Sequence, residues 1–318
     1  MQSVSDPAGI ASVTADLTGI ENANNAPLFT AGGPWSGYAY RTAARTADVP
    51  LETGSTSAWA VRATNTTGDA STLSGLTYNV RSYVGLMRGE FGAAATASLS
   101  QYYRFSDSAN AGTNQGSGGT ANVTYNGAPN KQVPGALVGA TDTAVELNGD
   151  PDYLSSTRLA TLTGDLSAEI WVKGSGASGS GPGTAFSDSA GLVDAGNAAS
   201  TRDWGVAVDA SGRIVAGCGN GATVHSASNA IADGAWHHIV FTRTRTSGAT
   251  ALYVDGQPVA AATGCTTQTL TGGTTVWYGR SHESNLYFQG TLDEVGLYAR
   301  VLTPAEVLDH YRLGTGTG

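Results

Sequence analysis

Apolar and polar positions alternate in short runs along the chain, and turn-forming residues separate the runs. In the first part the alternation is carried by SVTADL, YAYRTAARTA, AWAVRATN and LTYNVRSYV, with breaks at DPAG and NTTGD. Strand side chains point alternately to two faces, so period-two runs rich in β-branched and aromatic residues indicate half-buried strands. No helical window competes, and residues 1–85 are therefore predicted to form a small β-sandwich.

The same alternation continues beyond residue 97 in a series of hairpins. WGVAVDASGRIVAGC turns at DASG, and ALYVDGQPVA turns at Asp255-Gly256, a strong signal for a two-residue hairpin loop. Residues 86–96 are predicted to be a linker, and 97–318 a second, larger all-β domain. The Gly/Ser-rich stretch 174–190 predicts a mobile loop.

One segment near the end has helical rather than strand periodicity. In PAEVLDHYR, Val307, Leu308 and Tyr311 form an apolar stripe. Thr303 precedes Pro304 as a cap, and a glutamate follows three residues after that cap, which is the pattern of a capping box. The sequence predicts a single short helix that seals an otherwise all-β domain.

The amino-acid composition and net charge of the chain exclude some classes of binding partner. The chain has 44 glycines and only 13% charged residues, which suits many short strands joined by tight turns. Its net charge of −9 argues against nucleic acid and anionic membrane surfaces as partners, because both need a basic footprint. No apolar run reaches the ~18 residues of a membrane span. The first residues lack the layout of a signal peptide, so either the chain is not exported by that route or it begins after a removed leader.

Cys218 and Cys265 are the two cysteines of the chain. Two cysteines complete neither a zinc site nor a CxxC motif, so a disulfide between them is the economical interpretation. Such a bond indicates an oxidising compartment. Two buried thiols in a cytosolic protein are the alternative.

Two segments of the chain resemble known families. SVTADL, YAYRTAARTA and AWAVRATNTTGDAS resemble the bacterial immunoglobulin-like repeats of secreted and surface proteins, which mostly act as spacers. SLSQYYRFSD, AEIWVKG, GAWHHIVFTR, LYVDGQPV and DEVGLY followed by LTPAEV resemble the laminin-G-like, concanavalin A-like jelly rolls of bacterial extracellular proteins, pentraxins and some phage tail proteins. This second resemblance implies two antiparallel sheets packed face to face. It also implies, for many members, a structural calcium, and for some, carbohydrate or protein bound at the sheet edge.

The resemblance implies a metal site as well. Asp293, in the closing DEV segment, corresponds to a ligand of the structural calcium, and Asp107 in YYRFSD corresponds to its partner. NQGSGG then stands where the family has an acidic turn, so one carboxylate is missing from a metal that needs several oxygens. The alternative is that turn backbone N–H groups hold Asp293. A second, pentraxin-like calcium cluster would draw on Asn197, Asp203 and Glu283, but the doubled acidic run of that cluster is absent.

Catalytic carboxylates are not expected. Asp293 and Glu294 are neighbours in a strand and should point to opposite faces, whereas glycoside hydrolysis needs two carboxyls facing one sugar. The hydrolases of this fold carry an E-x-D-x-x-E set on one strand, and no strand here has it. The alternation likewise predicts that His237 and His238 face opposite ways, so they do not chelate one metal.

Aromatic side chains are the remaining candidates for ligand binding. Trp204, Trp277 and Tyr287 lie in or near loops of the second domain and could stack on sugars. We expect a non-enzymatic extracellular protein of a bacterial surface, a filament or a phage particle. Its partners would be glycans or proteins, or copies of itself and neighbouring subunits. A lectin-like module of a secreted enzyme system is the alternative, with a glycan hydrolase third.

Overall fold

The computed structural model describes the side chains of Tyr83–Met87 and of residues 98–317, except 176–177, 198–200, 220–222 and 284–285. Before Tyr83 it describes only the backbone of six strands. The chain divides into two compact units, Met1–Leu86 and Met87–Gly318. Residues 88–97, most of the predicted linker, lie outside the described residues.

The described strands of the first unit are antiparallel. Four of them form a sheet in the order β2-β1-β5-β6, and β3 pairs with β4. Their bounds are β1 Ile10–Asp16, β2 Ala26–Pro27, β3 Phe29–Thr30, β4 Tyr40–Arg41, β5 Ser55–Asn65 and β6 Ala70–Val80, and a short helix α1 follows at Tyr83–Met87. The immunoglobulin-like assignment of this unit stays a prediction, because most of its residues lie outside those described.

The second unit contains sixteen of the described strands and a C-terminal helix. The strands are β7 Leu99–Tyr103, β8 Ala111–Gly112, β9 Val123–Asn126, β10 Asn130–Pro134, β11 Thr143–Asn148, β12 Tyr153–Thr157, β13 Leu166–Ser175, β14 Ala190–Asp194, β15 Trp204–Val208, β16 Ile214–Cys218, β17 Thr223–His225, β18 Asp233–Thr244, β19 Ala249–Val254, β20 Gln257–Ala262, β21 Thr275–Tyr278 and β22 Gln289–Tyr298. The helix α2 spans Pro304–Thr315.

These strands form two antiparallel sheets, as the resemblance to laminin-G-like jelly rolls implies. The front sheet has the order β10-β11-β22-β13-β18-β19-β20, with β7 also paired to β22. The back sheet has the order β17-β16-β15-β14-β21-β12-β9-β8. One hydrophobic core contains side chains of both sheets, among them Ile170 and Ile239 of the front sheet and Val206 and Val276 of the back sheet.

The helix α2 has the predicted capping box. Thr303 accepts a hydrogen bond from the backbone N–H of Glu306, whose side chain accepts one from the Thr303 backbone. The helix ends at Gly316, which has a left-handed backbone. It packs on the outer face of the front sheet, where the rings of Tyr311 and Trp171 stack with their centroids 6.1 Å apart.

A buried ionic network lies beneath this helix. Glu169 Oε1 lies 2.7 Å from His238 Nε2, and Glu169 Oε2 lies 3.0 Å from His310 Nδ1. The Tyr298 hydroxyl donates to Glu169 Oε2 at 2.9 Å. Although burial opposes ionisation, His310 and His238 hold the pKa of Glu169 well below its usual value. His238 is fully buried whereas its neighbour His237 bonds Asp233 and Asp255 elsewhere, so the prediction that the two histidines diverge is confirmed.

Cys218 and Cys265 form the predicted disulfide, with Cα atoms 5.6 Å apart and 47 residues of separation along the chain. It joins the end of β16 to the segment that follows β20. The buried side chain of Arg243 donates to the backbone oxygens of Thr266 and Gln268, which holds this segment beside the disulfide.

The stretch 178–190, within the predicted mobile loop, is anchored on the back sheet. Backbone hydrogen bonds join Ser180 to Val208 and Ala190 to Ser180. A 3-10 turn at Phe186–Asp188 buries the Phe186 ring against Gly205 of β15. This segment covers part of the outer face of the back sheet.

Candidate functional site

Asp293 and Glu294 lie at an interruption of the front sheet. The first half of β22 pairs with β11, up to Leu292 opposite Val145, and its second half pairs with β7, from Val295 opposite Tyr103. The two acidic residues fall between these partners. On the other side of β22 the register with β13 shifts at the same point, and Glu294 has a φ of +49°. This is a β-bulge, which inserts an extra residue into one strand of a pair.

The bulge overturns the prediction that Asp293 and Glu294 face apart. Strict alternation would place Leu292 and Val295 on opposite faces, yet both belong to the core. One oxygen from each of Asp142, Asp293 and Glu294 lies within 4.8 Å of the others. We call these three carboxylates the acidic centre. Asp142 is the residue just before β11.

A guanidinium and a phenol complete the acidic centre. Arg104, the residue after β7, places Nη2 2.5 Å from Asp142 Oδ2 and donates Nε to Glu294 Oε1 at 3.0 Å. The Tyr102 hydroxyl donates to the other oxygen of Glu294. Asp293 accepts hydrogen bonds from the backbone N–H of Ala136 at 2.8 Å and of Glu294 at 2.9 Å. The sequence analysis gave hydrogen bonds from backbone N–H groups as the alternative to calcium for Asp293, and these hydrogen bonds are present.

If all three of its carboxylates were ionised, the acidic centre would contain more negative charge than its one guanidinium balances. Burial raises the pKa of Glu294 to about 8, although the Arg104 guanidinium opposes the shift. Burial and repulsion from Glu294 raise the pKa of Asp293 well above its usual value. Neither oxygen of Asp142 has a hydrogen-bond partner of good geometry, although both are buried. A proton or a cation would relieve this repulsion.

The residues of the acidic centre fit a hard divalent cation better than the predicted pair does. Calcium takes carboxylate oxygens at about 2.3–2.6 Å, and Asp142 offers two buried oxygens beside those of its neighbours. The predicted partner, Asp107, is not one of the three carboxylates, and its Oδ2 accepts a hydrogen bond from the Tyr125 hydroxyl at 3.3 Å. The sequence analysis did not identify Asp142. Its position beside Asp293 and Glu294 depends on the pairing of β11 and β7 with the two halves of β22.

Trp277 and Tyr287, predicted to bind ligand, lie on the outer side of the back sheet. Tyr287 packs on Tyr153 with ring centroids 6.2 Å apart, and the guanidinium carbon of Arg280 lies 4.8 Å from the Tyr153 ring and 5.3 Å from the Tyr287 ring. Trp277 pairs in register with Ser155, two residues along β12 from Tyr153. All these side chains are partly exposed. We call Tyr153, Trp277, Arg280 and Tyr287 the aromatic shelf.

Diagonal neighbours across a strand pair lie about 7–8 Å apart, so Trp277 and Tyr153 belong to one continuous surface. Asn126 extends that surface through a hydrogen bond to the Ser155 hydroxyl at 3.2 Å. The sequence carried a signal for Tyr153, because the alternation in YLSST puts its ring on the face opposite to the core residue Leu154.

The third predicted ligand-binding residue, Trp204, requires a correction. Its side chain is fully buried in the core between the sheets. In WGVAV the large residues Trp204, Val206 and Val208 occupy one face of β15 and point inward. Trp204 is therefore a core residue and has no surface to offer a ligand.

The fold and these surfaces define an all-β, lectin-like jelly roll with a buried acidic centre and an exposed aromatic shelf. A family model described as the Concanavalin A-like lectin/glucanases superfamily matches residues 148–308, half of the chain. The chain belongs to this superfamily. None of the described helices has the length and hydropathy of a membrane-spanning segment.

Solved structures show the same fold at low sequence identity. The binding domain of Paraclostridial Mosquitocidal Protein 1 has a TM-score of 0.52 and 14% identity, over 68% of this chain and 52% of that one. A Trypanosoma rangeli sialidase in complex with 2,3-difluorosialic acid has a TM-score of 0.50 and 18% identity, over 68% and 33%. The binding domain of botulinum neurotoxin DC in complex with SialylT has a TM-score of 0.50 and 12% identity, over 68% and 52%.

The chain thus spans about half of the length of those two binding domains and a third of the sialidase. A search of curated protein sequences gave no match.

Proposed function

We propose that this protein is a non-enzymatic, extracellular glycan-binding module of a bacterial surface, filament or phage particle, and that its aromatic shelf receives the ligand. The observation that carries the proposal is the Arg280 guanidinium placed against the rings of both Tyr153 and Tyr287 on the outer side of the back sheet. The family match and the similarity to solved binding domains support glycan binding as the class of function. The choice of the aromatic shelf as the binding surface rests on this cluster alone.

The aromatic shelf offers the chemistry that a sugar needs. Partly exposed rings provide flat apolar area with a small entropy cost, and Trp277 and Tyr287 provide it at the two ends of the surface. The Asn126 amide and the Ser155 hydroxyl add hydrogen-bonding groups to the same surface. Arg280 adds a cation whose planar donors match a carboxylate, so we propose glycans with an acidic sugar as the preferred class.

A glycan array probed with the purified chain tests this proposal, followed by titration of the best ligand against variants. Tyr287→Ala and Trp277→Ala should each weaken binding at least tenfold, and Arg280→Gln should weaken acidic glycans more than neutral ones. Trp236→Ala is a matched control, because Trp236 is a partly exposed tryptophan on the front sheet that packs under Lys173. Equal binding by all four variants would disprove the choice of surface.

A structural building block is the second candidate, and the edge of the front sheet favours it. The edge strand β20, with sequence QPVAAA, contains no charged residue, and Val259 within it is 44% exposed. Edge strands that lack charges are templates for pairing with another chain. The partner in this case would be a second copy or a neighbouring subunit.

We further propose that calcium occupies the acidic centre as a structural ion. Asp142, Asp293 and Glu294 would hold it, and its charge would replace the proton that burial otherwise keeps on Glu294. Light scattering of the purified protein in calcium and then in EGTA tests both this role and self-assembly. A monomer in both conditions would eliminate the building-block hypothesis.

A further inference from the structure

A buried guanidinium lies against the disulfide between Cys218 and Cys265. Arg243 of β18 is fully buried, and its Nε donates a hydrogen bond to Cys265 Sγ at 3.2 Å. Both cysteines belong to the hydrophobic core, with 1% and 3% of their surface exposed. The disulfide is therefore in contact with a positive charge that solvent screens only weakly.

The described hydrogen bonds of Arg243 all go to neutral acceptors. Besides the sulfur, its guanidinium donates to three backbone carbonyl oxygens, those of Gly164, Thr266 and Gln268. Burial lowers the pKa of Arg243, repulsion from Arg245 lowers it further, and attraction to Asp165 does not offset the two. A buried charge without an opposite partner costs free energy, so an anion beside Arg243 would be stabilised.

The two sulfur atoms differ in the charges around them. Cys265 has the guanidinium of Arg243 in contact with its sulfur. Beside Cys218 there is a carboxylate instead, because Asp203 Oδ1 accepts a hydrogen bond at 3.1 Å from the backbone N–H of the residue that follows Cys218. The neighbouring Arg202 has an exposed side chain. A thiolate is favoured beside a cation and disfavoured in apolar surroundings, so reduction would place the negative charge on Cys265.

We propose that the disulfide is a reversible redox switch, in which a dithiol reductant leaves Cys218 as a thiol and Cys265 as a thiolate paired with Arg243. The dithiol gives up two electrons and two protons and becomes a disulfide. The protein disulfide accepts both electrons, Cys218 takes one proton, and the other proton goes to water. Because the ion pair forms only after reduction, it stabilises the reduced chain and makes the bond easier to reduce than one without a buried cation.

The reduced chain should keep its fold around this site. Arg243 holds the segment after β20 through the carbonyl oxygens of Thr266 and Gln268, and the Cys265 backbone N–H donates to the Gly248 oxygen at 3.1 Å. These hydrogen bonds do not involve the disulfide, so they persist when it opens. The switch therefore changes the charge and the stability of the second unit without releasing the segment.

The number of protons taken up on reduction tests this proposal. The full chain is equilibrated with reduced and oxidised dithiothreitol from both directions, quenched with acid, and separated into reduced and oxidised forms by chromatography. If only Cys218 takes a proton, the equilibrium constant for reduction should rise about tenfold per pH unit between about pH 6.5 and 8, where ordinary thiols stay protonated. Arg243→Gln should remove this pH dependence. Arg245→Gln is the matched control, since it removes an exposed guanidinium two residues further on and should leave the dependence in place.

Two single-cysteine variants decide the question if Arg243→Gln fails to fold. Cys218→Ala leaves Cys265 beside Arg243, and the ultraviolet absorbance of its thiolate should be half developed below about pH 7.5. Cys265→Ala leaves Cys218 in the core, and its thiolate should develop only above the value of about 8.5 for a free thiol. Equal titration of the two variants, an equilibrium constant that does not change with pH, or loss of near-ultraviolet circular dichroism when the unaltered chain is reduced would each overturn the proposal.

Discussion

The carboxylates of Asp293 and Glu294, two consecutive residues of one β-strand, lie together with Asp142 in one buried group whose oxygens are within 4.8 Å. Tyr102 and Arg104 reach this group from the end of β7, and Asp142 reaches it from the start of β11. The group thus marks the point at which β22 changes partners. Because these carboxylates can take up a proton or a cation, the stability of the front sheet should depend on pH and on calcium.

The stability of the metal-free protein should fall as pH rises because of Glu294. Burial raises its folded-state pKa to about 8, above the ordinary value of 4.5, so the folded state holds a proton that the unfolded state has lost. This contribution is complete below about pH 4.5 and is lost as pH rises through about 8. Melting temperatures in EGTA should therefore decline between these values, and less so for Glu294→Gln.

His237 contributes a loss in an overlapping window, because its hydrogen bond to Asp255 raises its pKa to about 9. The unaltered chain and Glu294→Gln share that effect, so the difference between their melting curves reports the acidic centre, in which repulsion from Glu294 also raises the pKa of Asp293. Calcium should restore the melting temperature of the unaltered chain at pH 8 and not that of the variant. Glu146→Gln, at an exposed carboxylate of β11, is the control. Identical curves for all three proteins would exclude a role for the acidic centre in pH dependence.

Breaking the buried network under α2 should destabilise the second unit strongly. His310→Leu leaves Glu169 buried with one fewer partner, and the loss of one partner of a buried pair costs about 3–5 kcal/mol. Glu169→Leu with His310→Leu should cost less than the sum of the single changes. Urea unfolding of the three variants measures this coupling. Strict additivity would show that the pair does not act as a unit.

The two tryptophans of the back sheet should separate stability from binding. Trp204→Ala empties a fully buried core position and should cost about 3–5 kcal/mol of unfolding free energy. Trp277→Ala removes a partly exposed ring and should cost much less while it weakens glycan binding. Urea unfolding and ligand titration on both variants provide the comparison. A folded Trp204→Ala protein that binds less glycan per folded molecule would count against the assignment of Trp204 to the core alone.

Removal of the disulfide should lower stability without changing the fold. The bond closes a loop of 47 residues, for which the chain-entropy model gives about 4 kcal/mol. Cys218→Ala with Cys265→Ala should therefore unfold at lower urea concentration than the unaltered chain. Dithiothreitol should lower the midpoint of the unaltered chain and leave that of the variant where it is. A variant as stable as the unaltered chain would show that the bond contributes nothing in solution.

If the protein self-associates through the edge of the front sheet, a single substitution in β20 should weaken the association. Val259→Lys places a charge on β20, which natural edge strands use to block pairing. Light scattering should then show smaller particles than for the unaltered chain. Val138→Lys is the matched control, because Val138 is 54% exposed and lies outside the strands. Equal effects of both lysines would indicate a general charge effect and not edge pairing.

Local sequence patterns predicted much of this molecule because local physics decides those features. The capping box at Thr303, the hairpin at Asp255-Gly256 and the alternation of the strands depend on residues a few positions apart. The acidic centre depends instead on where β7 ends and β11 begins, which are 40 residues apart, from Tyr103 to Thr143, in a pairing with β22. A glutamate with positive φ leaves no mark in the sequence, so the bulge could not be predicted.

Gly205 sets how much of the back sheet the protein shows to its surroundings. A Cβ atom at this position would collide with the Phe186 ring, whose segment covers the sheet beside the aromatic shelf. Replacement of one hydrogen by a methyl group would therefore displace the Phe186 ring and loosen the packing of this segment on β15. The absence of a side chain at one position of β15 is thus what lets the segment around Phe186 lie flat against the back sheet.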